Sequence, residues 1–380
     1  MSKFIRSAAL SLVLVCLAWA ILGAGAAAAK TSLAQVQRGL EGLTAAPGGP
    51  PGAIATLYRD GKLTTISVGR AEIGRPGVPR ATEYMRIASV AKAYSGAVVL
   101  NLVGAGKLRL EQTLGELLRG MPADWSEVTV AQMLAHTSGV PDYTDSKAFM
   151  KHAQTDPRGH VSPLKVVSWV RDEPLEFEPG TKYRYSNTDN ILVGLIAQAL
   201  TGERYGELLK RIVFQPAGLH QTSFPSSPWL PNPLIHGYLI APGEEPNDVS
   251  TALSSAGAWA SGAIVSTPRD MNAFIRADLG LKFFDAAQQR EQMQFWPGGE
   301  SSPPGPGKNS AGLALFRYQT RCGTVYGHTG NFPGYVQFAA ATADGSRAVT
   351  TTLNIPAPKG HLLAQLRSVQ TAAVCALLGK

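Results

Sequence analysis

Residues 312–353 read GLALFRYQTRCGTVYGHTGNFPGYVQFAAATADGSRAVTTTL. Apolar and polar residues alternate here with a period of two, the spacing of strands rather than of a helix. Four strands are expected, over 313–318, 324–328, 335–340 and 348–353, with a tight turn at Asp344-Gly345 before the last. Beyond them, 361–378 returns to helical spacing and closes the chain. At the other end, 33–43 has the pattern of an amphipathic helix, and 54–59 and 63–68 form a hairpin pattern around Asp60-Gly61. From 89 to 219 the period is mostly helical, broken at Gly139-Val140-Pro141 and Glu178-Pro179-Gly180; the apolar run 191–200 ends at Thr201-Gly202. Residues 225–246 and 297–310 are rich in Pro, Gly and Ser and read as loops. Strands at both ends most economically share one sheet. The expected fold is therefore α/β (α+β): an antiparallel sheet flanked by helices over 30–85 plus 255–380, an inserted all-α domain over 86–254, and a cleft between them suited to a ligand.

The 380 residues are 44% hydrophobic, enough for a large core, so intrinsic disorder is excluded. The net charge of +8 is spread without a Lys/Arg run of five or more, which argues for a basic surface and against nucleic acid as a partner. Residues 1–29 read as an export signal: Lys3 and Arg6 precede the apolar core 8–22, and Ala27-Ala28-Ala29 fits cleavage between small residues. The expected location is secreted or extracytoplasmic; uncleaved, the uncharged stretch 8–29 is long enough to anchor the chain in a membrane. Export leaves Cys322 and Cys375, for which one disulfide and two buried thiols are the alternatives, the disulfide being favoured by an oxidising compartment.

Three short motifs carry possible chemistry. In Ser89-Val90-Ala91-Lys92 the i,i+3 spacing puts both side chains on one helical face, where an amine whose pKa is lowered by burial can take the serine proton. The spacing alone is weak, because Ser162-Pro163-Leu164-Lys165 repeats it in ordinary surroundings. Tyr185-Ser186-Asn187 offers a phenol, partly ionised beside an ammonium, as a proton shuttle, and an amide to hold a substrate amide; the plain reading is a packed Tyr and a helix cap. His328-Thr329-Gly330 ends a strand, where Gly330 admits a close backbone approach and Asn331 can donate its N–H; the plain reading is a lone His at a strand end. The chain contains no Gly-x-Ser-x-Gly elbow, and His152 and His160 read as solvated rather than as metal ligands.

Taken in this order, the three motifs resemble those of the serine penicillin-recognising enzymes, the penicillin-binding proteins and serine β-lactamases. The Tyr-Ser-Asn form is similar to the class C β-lactamase branch and its D-alanyl-D-alanine carboxypeptidase and esterase relatives. The stretches 133–143 (with His136-Thr137-Ser138-Gly139), 177–189, 326–330, 104–110 and 261–270 extend the resemblance to roughly 35–378. It implies an acyl-enzyme on Ser89, with Lys92 as the base. Tyr185 would relay the proton to the leaving amine and Asn187 would bind the acyl amide. His328 would stand where many relatives have Lys, and Thr329 would orient substrate beside Gly330. The backbone N–H groups of Ser89 and Asn331 would form the oxyanion hole, and Arg317 would be the candidate cation for a terminal carboxylate. It implies no metal and no organic cofactor. His328 and the cysteine pair look most like secreted D-alanyl-D-alanine carboxypeptidases, whose free-carboxylate substrate a basic cleft would steer. The alternatives are a class C-like esterase, which Phe332 would suit, another amidase, a β-lactamase, or a non-catalytic penicillin-binding or sensing module. The expected partner is a small-molecule or peptide substrate: a peptidoglycan stem peptide, an ester or a β-lactam. A monomer is the default expectation.

Overall fold

The structure is a computed structural model that describes residues 32–380 except 242 and 256; the expected export segment 1–29 lies outside the described residues. Helix α1 covers 32–45. Strands β1 (Gly52–Arg59) and β2 (Lys62–Gly69) follow as the expected hairpin. Its two-residue turn puts Asp60 at φ 53° and Gly61 at φ 77°, the positive angles such a turn demands. The other main strands are β3 (Trp296–Pro297), β4 (Lys308–Ala311), β5 (Phe316–Thr320), β6 (Gly323–Phe332), β7 (Tyr335–Ala341) and β8 (Ala348–Leu353). They form one antiparallel sheet in the order β2-β1-β8-β7-β6-β5-β4-β3. The two ends of the chain meet where β1 pairs β8, from Ala53 opposite Leu353 to Tyr58 opposite Ala348.

The strand expected over 313–318 lies elsewhere, split between β4 and β5. Residues 312–315 leave the sheet because their backbone is engaged by the helical side: the Leu313 N–H donates to the Gln292 carbonyl and the Ala314 N–H to that of Leu134. The short strands β3 and β4 also sit at the ends of the stretch 297–310, which reads in sequence as a loop.

Besides α1, the longer helices are α2 (Ala91–Gly104), α3 (Asn187–Thr201), α4 (Pro268–Leu279) and α5 (Gly360–Leu378); α4 and α5 pack on the sheet, and α3 packs on α2. One core lies between the sheet's inner face (Ile54, Ala339, Ala348) and α2, α3 and α4, running without a break into the shorter helices of residues 114–214. The other packs α1 (Val36, Leu40, Leu43) and α5 (Leu366, Val369, Ala373) on the outer face. α2 is apolar nearly all round and buried along most of its length, so it is held by packing on every side. A disulfide joins Cys375 of α5 to Cys322, which lies in the turn between β5 and β6.

Inside α4, the Asp278 carboxyl is fully buried, with Oδ2 accepting from Gln292 Nε2 at 3.2 Å and Oδ1 unpartnered. Burial pushes it up to about 7 from 3.8. Because the folded pKa lies above the unfolded one, this group's contribution is complete below pH 4 and is lost as the pH rises through 7. At ~1.4 kcal/mol per unit the loss is of order 4 kcal/mol. Thermal melts should therefore show Asp278→Asn gaining stability over the parent between pH 5 and 8; equal pH dependence in both proteins would contradict the assignment.

Candidate active site

The serine is placed by the edge of a strand. β5 pairs only with residues 323–327 of β6, so the last part of β6 has one edge not occupied by β5. The turn Ala88–Val90 docks there, and it leads directly into α2. Ala88 holds φ 50°, uncommon for a residue with a side chain, and Ser89 follows it into the cleft. The approach is close enough to require glycine: a Cβ on Gly330 would lie 2.5 Å from the Ile87 carbonyl oxygen and 3.1 Å from the Ser89 nitrogen.

Lys92 sits one helical turn below the serine with no exposed surface. Its Nζ is 3.1 Å from Ser89 Oγ, 2.8 Å from Asn187 Oδ1 and 2.9 Å from the Ser261 carbonyl oxygen. Burial lowers its pKa to about 7, against the opposing pull of Asp142 and Asp189. A neutral amine has two N–H groups and one lone pair. The Asn187 and Ser261 oxygens can only accept, so they take the two N–H groups, and the lone pair is left to the Ser89 hydroxyl. Asn187 is fixed in turn, since its backbone N–H and its Nδ2 both donate to Asp142 Oδ2, at 3.1 and 2.8 Å.

The Tyr185 ring lies 4.9 Å from Lys92 Nζ and 4.4 Å, centroid to centroid, from His136. Burial raises the phenol pKa, and hydrogen bonding to Ser89 opposes that only in part. The phenol is therefore neutral, and the partly ionised shuttle read from the sequence is not what the surroundings favour. Behind it, His136 Nδ1 is 3.0 Å from Asp189 Oδ2, and Ser138 Oγ donates to Asp189 Oδ1 at 2.5 Å. His328 is also wholly buried, with Nδ1 against the Thr329 carbonyl. Burial first, and then the Lys92 charge, lower its pKa to about 3. It is a neutral ring packed 6.3 Å from Tyr185 and supplies no positive charge.

The cleft has a volume of ≈ 620 Å³ and is lined by Ser89, Tyr185, Asn187 and Asn331, with Phe149, Leu253 and Phe332 as apolar wall. Gly330, an expected substrate contact, is not in the lining and lies instead against the Ile87–Ser89 backbone. Two further expected substrate contacts are also not in it. Thr329 is buried and its hydroxyl donates to the Pro303 carbonyl at 2.7 Å. Arg317 projects elsewhere, with its guanidinium over the Phe295 ring and an Nη2 contact to Ser310 Oγ. Asn331 lines the cleft, but its side chain accepts from the Ala357 N–H at 2.7 Å. Among the described residues the titratable carboxylates in the lining are Asp142 and Asp145, joined by the imidazole of His152 and by no Lys or Arg, so the basic cleft expected for a carboxylate substrate is not what the lining offers. Sequence reading passed over Asp142, Asp189 and the Ser261 carbonyl as functional groups. Asp142 stands two residues beyond Val140 in the quoted 133–143 stretch, and Ser261 opens the 261–270 stretch, so position beside familiar motifs was the available signal.

Gly330→Ala tests the docking of strand on turn. The added methyl must push the Ser89 N–H off its place, so kcat should fall roughly 100-fold while the melting transition stays cooperative. An unchanged kcat would show that the spacing is not needed.

Comparison with known proteins agrees with this geometry. The family model described as Beta-lactamase matches residues 40–372. Penicillin-binding protein 4 of Amycolatopsis lactamdurans is 30% identical over 177 residues, 45% of this chain and 44% of that protein. Penicillin-binding protein 4* of Bacillus subtilis is 25% identical over 286 residues, 71% of this chain and 60% of that protein. The chain thus spans about half the length of these curated relatives. Among solved structures, a D-stereospecific amidohydrolase from Streptomyces sp. superposes with a TM-score of 0.73 at 27% identity, covering 84% of this chain and 94% of the other. The D-amino acid amidase of Ochrobactrum anthropi SV3 gives a TM-score of 0.79 at 22% identity, over 91% and 98%, a likeness of fold. Motif order, sheet topology and the match over 40–372 together make this chain a member of the Beta-lactamase family of serine hydrolases.

Proposed function

We propose that the protein is a serine amidohydrolase that opens amide bonds of D-amino-acyl substrates through an ester on Ser89. One observation carries this reading: the buried Lys92 amine, its two N–H groups committed to fixed carbonyls and its pKa near 7, is poised as a base on the Ser89 hydroxyl. In the acylation step, Ser89 Oγ bonds to the substrate carbonyl carbon as its proton moves to Lys92. The oxyanion is received by the backbone N–H groups of Ser89 and Asn331. Tyr185 passes a proton to the leaving nitrogen, and the C–N bond breaks. Water then attacks the ester, giving its proton back through the same groups, and the free acid leaves.

The choice of an amide whose leaving group lacks a carboxylate is supported by the cleft. Neither His328 nor Arg317 offers a cation there, and among the described residues its lining holds two carboxylates and no Lys or Arg. The likeness to the Streptomyces D-stereospecific amidohydrolase supports the same choice. D-alanyl-D-alanine carboxypeptidase activity is the second reading, favoured by the penicillin-binding relatives. An extracytoplasmic location belongs to the proposal as well; it rests on the N-terminal sequence and agrees with the Cys322–Cys375 disulfide.

Fluorescent penicillin should label the parent covalently and leave Ser89→Ala unlabelled; labelling of the variant would remove Ser89 as nucleophile. Lys92 must lose its proton to act, so kcat/KM for a D-amino acid anilide should rise about tenfold per pH unit below 7 and level off above it. Lys92→Ala should lower kcat/KM by roughly a thousandfold and abolish that dependence. A profile flat from pH 5 to 9 in the parent would exclude Lys92 as the base. Side-by-side rates on a D-alanine amide, a D-Ala-D-Ala peptide and a chromogenic cephalosporin separate the readings, and the amidohydrolase reading fails if the peptide acid is the better substrate.

A further inference from the structure

Arg86, on the segment that leads into Ser89, is 1% exposed. Its backbone is fixed: the two-residue strand Met85–Arg86 pairs with Val265–Ser266, and the Arg86 carbonyl accepts from Gln337 Nε2 at 2.9 Å. At the other end of the side chain, Nη2 donates to three backbone carbonyls, those of Pro228 at 2.6 Å, Leu253 at 3.1 Å and Ser250 at 3.3 Å. The guanidinium carbon lies 5.3 Å from the centre of the Phe332 ring. Nε and Nη1 have no partner among the described residues, and no carboxylate there pairs with the charge. A buried cation so placed is costly, and an apolar side chain would fill the same space without that cost. What the guanidinium fork alone supplies is directed bonding to chain that has little else to hold it. Residues 225–257 carry little regular structure beyond the two-residue strands Tyr238–Leu239 and Asn247–Asp248. Leu253, from that stretch, and Phe332, from the end of β6, are both wall of the cleft that holds Ser89. One side chain therefore links the segment of the nucleophile to two walls of its cleft.

We propose that Arg86 is a positioning residue: it holds the Leu253 and Phe332 walls at a set distance from Ser89, and thereby determines how well the cleft receives an apolar group on the substrate. The proposal rests on the amidohydrolase reading and adds to it the device that selects for bulk. The length of the side chain is the gauge, because both of its ends are fixed. Without the fork, the 225–257 stretch loses three bonds and Phe332 loses the cation beside its ring, so the walls shift. Lys92 keeps its hold on Ser89, since its own partners are Asn187 and the Ser261 carbonyl. Two parts of a substrate can present the bulk, the acyl side chain and the leaving group.

Three amides test it: D-alanine amide (small on both sides), D-leucine amide (apolar acyl side chain) and D-alanine anilide (apolar leaving group). The readout is kcat/KM for each bulky amide divided by that for D-alanine amide. In Arg86→Met this ratio should fall about tenfold from the parent value for at least one bulky amide, through KM, with kcat for that amide within about threefold. Which amide responds identifies the part of the substrate that meets the wall. Arg86→Lys keeps a cation without the planar fork and should lose an intermediate share; it also carries the test should Arg86→Met fail to melt cooperatively. Leu253→Ala removes wall rather than brace. In that background Arg86→Met should lower the ratio by no more than about threefold, because effects exerted through a shared partner do not add. Unchanged ratios for both bulky amides, equal losses on all three amides, a fall confined to kcat, or full additivity with Leu253→Ala overturns the inference. If the parent hydrolyses these amides and the ratios do not move, positioning by Arg86 is wrong and the serine site stands. If the parent hydrolyses none of them, the amidohydrolase reading has failed, whether or not penicillin labels Ser89, and this inference falls with it.

Discussion

The site depends on how one amine is surrounded. Lys92 has no exposed surface, and its neighbours Asn187 Oδ1 and the Ser261 carbonyl are acceptors on separate segments, held at 2.8 and 2.9 Å. Burial alone would shed the proton too readily for a base needed near neutrality. Asp142 and Asp189 oppose it, and the balance comes to rest near 7. Each of these neighbours is itself tied down. Asp142 is bound by Asn187, while Asp189 is held by Ser138 and faces His136. The polar layer beneath the serine is thus one network, with the apolar packing of α2 and α3 closing it from water.

Much of this was readable in the chain. The hairpin at Asp60-Gly61, the strand 348–353 and the helix ending at Gly202 follow local rules, since turn chemistry and hydrophobic period act over a few residues. Ser89 and Lys92 were legible for the same reason, because one helical turn sets their spacing. Residues 313–315 were misread because their backbone partners, Gln292 and Leu134, come from distant segments that a period of two cannot report. The Ser261 carbonyl was invisible in principle, because any residue has one and only the fold says which faces the amine. The sign of charge in the cleft was misjudged for a related reason. A net charge of +8 averages over the surface, whereas Asp142 and Asp145 act on the few ångströms that matter.

His328 illustrates how a motif can persist while its physics changes. A lysine at that position would bring a charge toward the substrate. The imidazole here is enclosed by Tyr185 and Phe316, with its Nδ1 on a backbone carbonyl, and remains uncharged. Its contribution is shape and the positioning of the phenol. With Arg317 stacked on Phe295, neither of these two residues brings a positive charge into the cleft.

The junction between the Ala88–Val90 turn and the uncovered edge of β6 has a bearing on when the molecule becomes competent. Ser89 emerges early during synthesis, whereas the strand that completes its surroundings lies late in the sequence and pairs with β7 only once that too has emerged. A half-made polypeptide therefore lacks the strand edge against which the Ser89 turn docks. The seat of the Ser89 backbone against β6 is thus a property of the finished sheet.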